Sequence, residues 1–274
     1  MKNIIVACLT VAAVSTCCPY AVFAEDNENT EVYVTISDEN GELAVSQEKI
    51  NVTDIDNNGK LTINDALYLA HEKDYKGGAD AGYMSVPTGY GTSLEMLWGT
   101  ENCEGFGYYI NSESAFSLDD EIKNGDFVDA YVYTDSETFS DVYTFFENRL
   151  IECKSDENVG LKLLSAGFDE NWQPITSPLA DAVILVDGEE TTYKTDENGV
   201  AEIAFSESGK HIISAKSDDM IIVPPVCEVN VESTEKSTNK SNEKGDLKRF
   251  LPIPILCVAA CLILFIINVK KKKH

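Results

Sequence analysis

Residues 31–37 read Glu31-Val32-Tyr33-Val34-Thr35-Ile36-Ser37, with an apolar side chain at nearly every second place. Side chains of a strand point alternately to opposite faces, so this run predicts a half-buried β-strand. A second extended stretch covers Leu43 to Val52 and leads into a loop rich in Asp, Asn and Gly at residues 54–65. Beyond it Ile63, Ala66, Leu67 and Ala70 stand three and four apart, as one face of a helix requires, and Gly77-Gly78 ends the pattern. A short apolar segment with Leu94, Leu97 and Trp98 follows, then expected strands at Phe106–Ile110 and Phe127–Tyr133. One helix against several strands gives an α+β outline to residues 25–135.

Residues 136–147 read as a linker, and the chain then changes character. Seven short strands are expected between 148 and 232, over 150–154, 159–166, 182–187, 191–195, 200–205, 211–216 and 227–231. Asp187-Gly188, Asn198-Gly199, Ser208-Gly209 and Pro224-Pro225 punctuate them with turn chemistry. Seven strands without a helical period predict an immunoglobulin-like β-sandwich, so the chain as a whole is mainly β with one α+β module. The Cys…Trp…Cys signature of antibody domains is missing, because Trp172 falls in a polar stretch.

Both ends carry targeting patterns. Lys2, the apolar run Ile4–Ala13 and Val22-Phe23-Ala24 predict a signal peptide over 1–24. Residues 233–249, rich in Ser, Thr, Asn, Glu and Lys, predict a disordered stalk. Phe250 to Val269 is a twenty-residue apolar stretch, long enough at about 1.5 Å per residue to span a bilayer core of about 30 Å. Lys270 to Lys273 then place the tail, 270–274, in the cytoplasm. The expectation is a single-pass cell-membrane protein with its N-terminal ectodomain outside. Leu251-Pro252-Ile253-Pro254-Ile255 begins like a sortase signal but lacks its Thr and Gly, which favours an integral anchor.

Between Glu25 and Arg249 lie 16 basic and all 47 acidic residues, a net charge of −31. Such a surface excludes nucleic acid and repels anionic lipid, and it attracts cations. Three cysteines fall in the ectodomain: Cys103, Cys153 and Cys227. An exported compartment permits disulfides. Cys153–Cys227, on the expected first and last strands of the sandwich, is the preferred pair and Cys103–Cys153 the rival. The histidines, His71, His211 and His274, fall into no nucleophile–base or zinc motif, so the expectation is a non-enzymatic chain.

The strongest chemical pattern is Asp54-Ile55-Asp56-Asn57-Asn58-Gly59-Lys60-Leu61-Thr62-Ile63-Asn64-Asp65. A calcium loop needs hard oxygen ligands at positions 1, 3, 5 and 12, a main-chain carbonyl at 7 and Gly at 6. Asp54, Asp56, Asn58, Gly59, Lys60 (through its carbonyl) and Asp65 occupy these places in order, and Thr62 at position 9 adds a direct or water-mediated ligand. Position 12 is Asp rather than Glu and a strand precedes the loop, so a strand–loop–helix site of weak, extracellular-class affinity is expected, with calcium as a structural ion.

Asp54 to Tyr68 resembles one half of a dockerin repeat, of which this chain has one copy where cohesin binding needs two. More broadly, residues 31–135 resemble the transcobalamin C-terminal-like (DUF4430) domain of Gram-positive surface proteins. The loop and helix, Tyr90-Gly91-Thr92-Ser93-Leu94, Leu97-Trp98-Gly99, Phe106-Gly107-Tyr108-Tyr109-Ile110-Asn111 and Lys123-Asn124-Gly125-Asp126 carry that resemblance. It implies a β-grasp-like N-terminal domain with a small-molecule face at Tyr90, Trp98, Tyr108, Tyr109 and Asn111. Thr195-Asp196-Glu197-Asn198-Gly199 with Val200–Ile203 resembles the hairpins of bacterial Ig-like spacer modules. Two functions follow as expectations. One is a calcium-stiffened adhesion or binding protein whose partner, an extracellular protein, glycan or small molecule, the sequence leaves open. The other is a corrinoid-capture protein feeding a transporter.

Overall fold

The computed structural model describes residues 30–101, 105–171 and 173–233. The expected signal peptide, membrane span and cytoplasmic tail, all of the expected stalk but its first residue, Cys103 and Trp172 lie outside the described residues.

The N-terminal module comprises β1 (Thr30–Ser37), β2 (Leu43–Val52), α1 (Ile63–Asp74), the single turn α2 (Ala79–Gly82), β3 (Met84–Thr88), β4 (Gly91–Leu97), β5 (Thr100–Glu101), β6 (Phe106–Ile110), β7 (Glu113–Ser114) and β8 (Phe127–Val132). Its main sheet has the order β2-β1-β8-β6-β7, with β1 and β8 parallel at the centre and the other pairs antiparallel. Strands β3, β4 and β5 form a separate small sheet. The helix presents Ile63, Ala66, Leu67 and Ala70, all fully buried, to Val32, Val34 and Ile36 of β1 and Val128, Ala130 and Val132 of β8. Burying these side chains supplies the apolar driving force of this half, at about 1.5–3 kcal/mol for each large one.

The second module comprises β9 (Val142–Phe146), β10 (Leu150–Lys154), β11 (Asn158–Phe168), β12 (Pro174–Pro178), β13 (Val183–Val186), β14 (Glu189–Lys194), β15 (Val200–Ala204), β16 (Gly209–Lys216), β17 (Ile222–Val223) and β18 (Cys227–Glu232). One sheet runs β10-β18-β16-β13-β14. The other runs β12-β11-β9-β17, and β15 also pairs with β11. Leu161, Leu163, Ile184, Ile203, Ile213 and Val229 are among the side chains buried between them. All seven expected strands are present. Seven more belong to segments read otherwise: β9, β12 and β17 here, and β3, β4, β5 and β7 in the first module, where β4 holds Leu94 and Leu97. The linker expected over 136–147 is therefore shorter, because its second half is β9, paired with β11 and β17.

The chain enters this sandwich by changing sheets. β9 lies in one sheet and β10 in the other, parallel to β18, with Arg149 at the crossover. The carbonyl of Arg149 accepts from Glu228 N–H at 2.9 Å and from Gln47 Nε2 of the first module at 2.9 Å. Gln47 reaches it because β2 bulges opposite Thr35, where Gln47 adopts φ 53°. A bulge re-aims a side chain in this way, at the cost of placing a non-glycine residue in the left-handed region.

Cys153 and Cys227 do lie on neighbouring strands, but the expected disulfide is corrected by register. Cys153 pairs with Val231, and Cys227 precedes Val231 by four residues. At about 3.3 Å per residue this separates them by about 13 Å, beyond the roughly 7 Å that a bridge can span. Both thiols are free and buried.

Candidate metal centre and aromatic face

The loop after β2 closes on its own carboxylates. Asn58 N–H donates to Asp54 Oδ1 and Asp56 Oδ1, each at 3.1 Å, and Gly59 N–H donates to Asp54 Oδ2 at 2.8 Å. Asn58 Oδ1 accepts from Lys60 N–H at 2.8 Å. Gly59 at φ 84° and Asn57 at φ 58° make the sharp turn. The Gly59 N–H, seconded by that of Asn58, holds the Asp54 carboxyl below the usual carboxylate range. Carboxylate oxygens of Asp54, Asp56 and Asp65 come within 4.8 Å of one another, close enough for one cation to touch all three.

Asp65 has a second task, which the position count did not reveal. Its Oδ1 accepts from Ile55 N–H at 2.9 Å, and its Oδ2 accepts from both the N–H and the hydroxyl of Thr62 at 2.8 Å. Thr62 is the N-cap of α1, and with Asp65 at the third helical position the two form a capping box. The signal was present in the sequence as Thr-x-x-Asp ahead of an apolar run. Thr62 thus spends its hydroxyl on the helix start, and the oxygens pointing to a common centre come from the first half of the loop and from Asp65. The donor set is all oxygen and trianionic, which suits a hard cation such as Ca²⁺ and not a thiolate-seeking metal.

The five residues expected to line a small-molecule face do not converge. Tyr108 and Tyr109 are consecutive on β6 and therefore point to opposite faces. Tyr108 packs on the helix-side core, whereas Tyr109 stacks on Tyr143 of the second module with ring centroids 3.6 Å apart. Trp98 packs in tilted contact with His71 and edge-on to Tyr75. The Asn111 amide holds a turn, donating to Asp126 Oδ1 at 2.8 Å and accepting from Phe127 N–H at 2.9 Å. Tyr90 stands in solvent at a hairpin tip.

His71 is fully buried and neutral. Its Nδ1–H donates to Leu67 O at 2.7 Å and its Nε2 accepts from Trp98 N–H at 3.0 Å, so both ring nitrogens are used. Burial pushes its pKa down to about 4.

Sequence reading missed the junction between the modules. The second module covers the sheet face opposite α1, so Thr35, Ser37, Asp129 and Tyr131 are buried although they alternate with the helix-side core. Arg149 donates to Asp129 through Nη1 at 2.8 Å and Nη2 at 2.6 Å, and Tyr143 donates its hydroxyl to the same carboxylate at 2.5 Å. The guanidinium also lies 4.6 Å from the Phe127 ring centroid. Gly107 leaves room for the Tyr131 ring, which a Cβ there would meet at 2.3 Å. Burial, and secondarily the Asp129 charge, raise the Tyr143 hydroxyl well above its ordinary pKa. A groove of about 560 Å³ opens beside this junction, with Phe127, Phe145, Asn148 and Leu150 in its walls; of the five expected ligand residues it contains Asn111 alone.

No protein-family model matches the chain, and no curated protein matches it. Among solved structures, the N-terminal four Ig domains of Dscam1 isoform 9.44 align with 74% of this chain at 8% identity and a TM-score of 0.23. The alignment spans 44% of that structure's length, and at this TM-score it carries no functional inference.

Proposed function

We propose that this chain is a membrane-anchored, non-enzymatic extracellular binding or adhesion protein whose N-terminal module is stiffened by calcium. The observation that carries the reading is the convergence of Asp54, Asp56 and Asp65 in a loop seated between β2 and the first turn of α1. A cation there neutralises three carboxylates and ties the helix start to the end of the hairpin. The N-terminal module is a β-grasp domain in this reading, supported by a mixed sheet whose first and last long strands run parallel at its centre under one helix. The second module is immunoglobulin-like, supported by its two packed sheets and by an entering strand that switches between them. The resemblance to surface proteins, the expected signal peptide and the apolar 250–269 stretch place both modules outside the cell in this reading.

The test is twofold. Calcium titration of the purified chain, followed by calorimetry, should give saturable binding in the range of roughly 10⁻⁴ to 10⁻³ M, lost in Asp54→Ala with Asp56→Ala. Protease added to intact cells should remove the ectodomain and leave a membrane-embedded stub. Absence of calcium binding at 10 mM, or protection of the ectodomain from protease, would sink the corresponding half of the reading.

A further inference from the structure

Tyr90 and Phe116 are the most exposed of the large apolar residues described, at 84% and 76%. They are 26 positions apart, yet main-chain hydrogen bonds set their loops side by side. Leu118 N–H donates to Thr92 O at 2.9 Å, and Thr92 N–H donates to Ser117 Oγ at 2.9 Å and Asp119 Oδ2 at 3.0 Å. A Cβ on Gly91 would lie 2.3 Å from Ser117 Oγ, so the tip of the β3–β4 hairpin rests directly on residue 117. Tyr90 precedes one side of that contact and Phe116 the other. Both loops are fixed locally: Phe116 N–H donates to Asp120 Oδ2 at 2.8 Å and Tyr90 N–H to Thr88 Oγ1 at 3.2 Å. Neither ring takes part in the aromatic or cation contacts found among the described residues, so both ring faces are open.

Charge says what fits there. The segment Glu113 to Glu121 holds Glu113, Asp119, Asp120 and Glu121 and no basic residue. Lys60 is paired with Glu121 at 2.5 Å, and the ectodomain sequence carries −31. Anionic partners are repelled by such a surface and basic ones are steered to it. A guanidinium stacks flat on an aromatic face while its N–H groups reach carboxylates, which an ammonium does less well.

We infer that this end of the N-terminal module, centred on Tyr90 and Phe116, is a docking surface for an arginine-bearing, basic peptide segment of a partner protein. The inference names the partner class of the surface-binding reading and rests on it. It makes no use of calcium, so the two fail separately.

The test uses the full chain in detergent with 2 mM calcium throughout, and a fluorescent Gly-Arg-Gly-Arg-Gly-Arg-Gly peptide as the probe. Saturable binding should weaken as NaCl rises from 50 to 500 mM, because the charges are exposed. Tyr90→Ser with Phe116→Ser should weaken it by about tenfold or more, corresponding to two lost cation–π contacts. Glu113→Gln should weaken it by a few-fold, and both variants should melt with the parent, since they alter exposed side chains. Replacing Arg by Glu in the peptide should abolish binding, and replacing it by Lys should weaken it. The inference is overturned by unaltered peptide binding in the double variant, by equal binding of the Glu peptide, or by no binding at 1 mM. Capture of neutral oligosaccharide or phosphatidylcholine vesicles through Tyr90 and Phe116 in place of the peptide overturns it as well, as does self-association through these residues.

Discussion

Replacing Asp129 by Ala should separate the roles of the two modules' own cores from that of their junction. In the folded chain Asp129 accepts two hydrogen bonds from Arg149 and one from Tyr143, in a region where the Asp and Arg side chains are 7% and 8% exposed. Its removal leaves the guanidinium buried without its carboxylate. The remaining Nε–H has no partner among the described residues and cannot compensate. Breaking a buried pair by removing one partner costs about 3–5 kcal/mol. At about 2–4 °C per kcal/mol for a chain of this size, the melting temperature should fall by roughly 6–20 °C. The double variant Asp129→Leu with Arg149→Met removes both charges and should recover most of the loss, because a desolvated pair is worth little over apolar groups of similar volume. Differential scanning calorimetry with urea titration reads both variants. A single variant that loses less than about 1 kcal/mol, or a double variant no better than the single, would refute the reasoning.

Four further outcomes are expected. Calcium should raise the melting temperature of the parent and leave that of Asp56→Ala with Asp65→Asn unchanged; an equal calcium response in both would remove the loop from consideration. His71 stays neutral in the folded chain down to about pH 4, while in the unfolded chain it protonates near 6.5. The unfolded state therefore binds more protons between these values, and about 3 kcal/mol of stability present above pH 6.5 should drain away as pH falls to 4. Urea midpoints measured across that window should show a shallower slope in His71→Leu than in the parent; parallel profiles would exclude His71 as the source. Burial pushes the Cys227 thiol up to about 12, so it should resist iodoacetamide in the native chain and react only on unfolding. Mass spectrometry without reductant should find no Cys153–Cys227 bridge, and finding one would contradict the register of β10 against β18.

The packed junction also changes the expected mechanics. A head module on a flexible linker would sample many orientations, whereas here Gln47, Asp129 and Tyr109 of one module are held by Arg149 and Tyr143 of the other. The two described modules therefore hold the β3–β4 hairpin tip on a platform fixed by buried polar and aromatic contacts.

Much of the fold was legible locally. The alternation at 31–37, the three–four spacing from Ile63 to Ala70 and the glycine-punctuated runs after 148 each report a local period, and each became the element expected. The convergence of Asp54, Asp56 and Asp65 was likewise readable, because a tight loop brings together residues near in sequence. Other features depended on pairing between distant segments. The short strands β12 and β17 exist because β11 and β9 offer them edges, and no periodicity in five or two residues announces that. Thr35, Ser37 and Asp129 read as a solvent face by their polarity, yet the second module buries them, since sequence period counts faces and does not say what covers each one. Register decided the cysteines: neighbouring strands were foreseeable, but a four-residue offset is set by which side chains meet across the sheet. The sequence by itself determined the long elements, the acidic charge and the spacing of the loop's carboxylates. The tertiary structure alone decided that Arg149 meets Asp129 and that Tyr109 belongs to a junction, because contacts between residues far apart in the chain follow from packing and not from local preference.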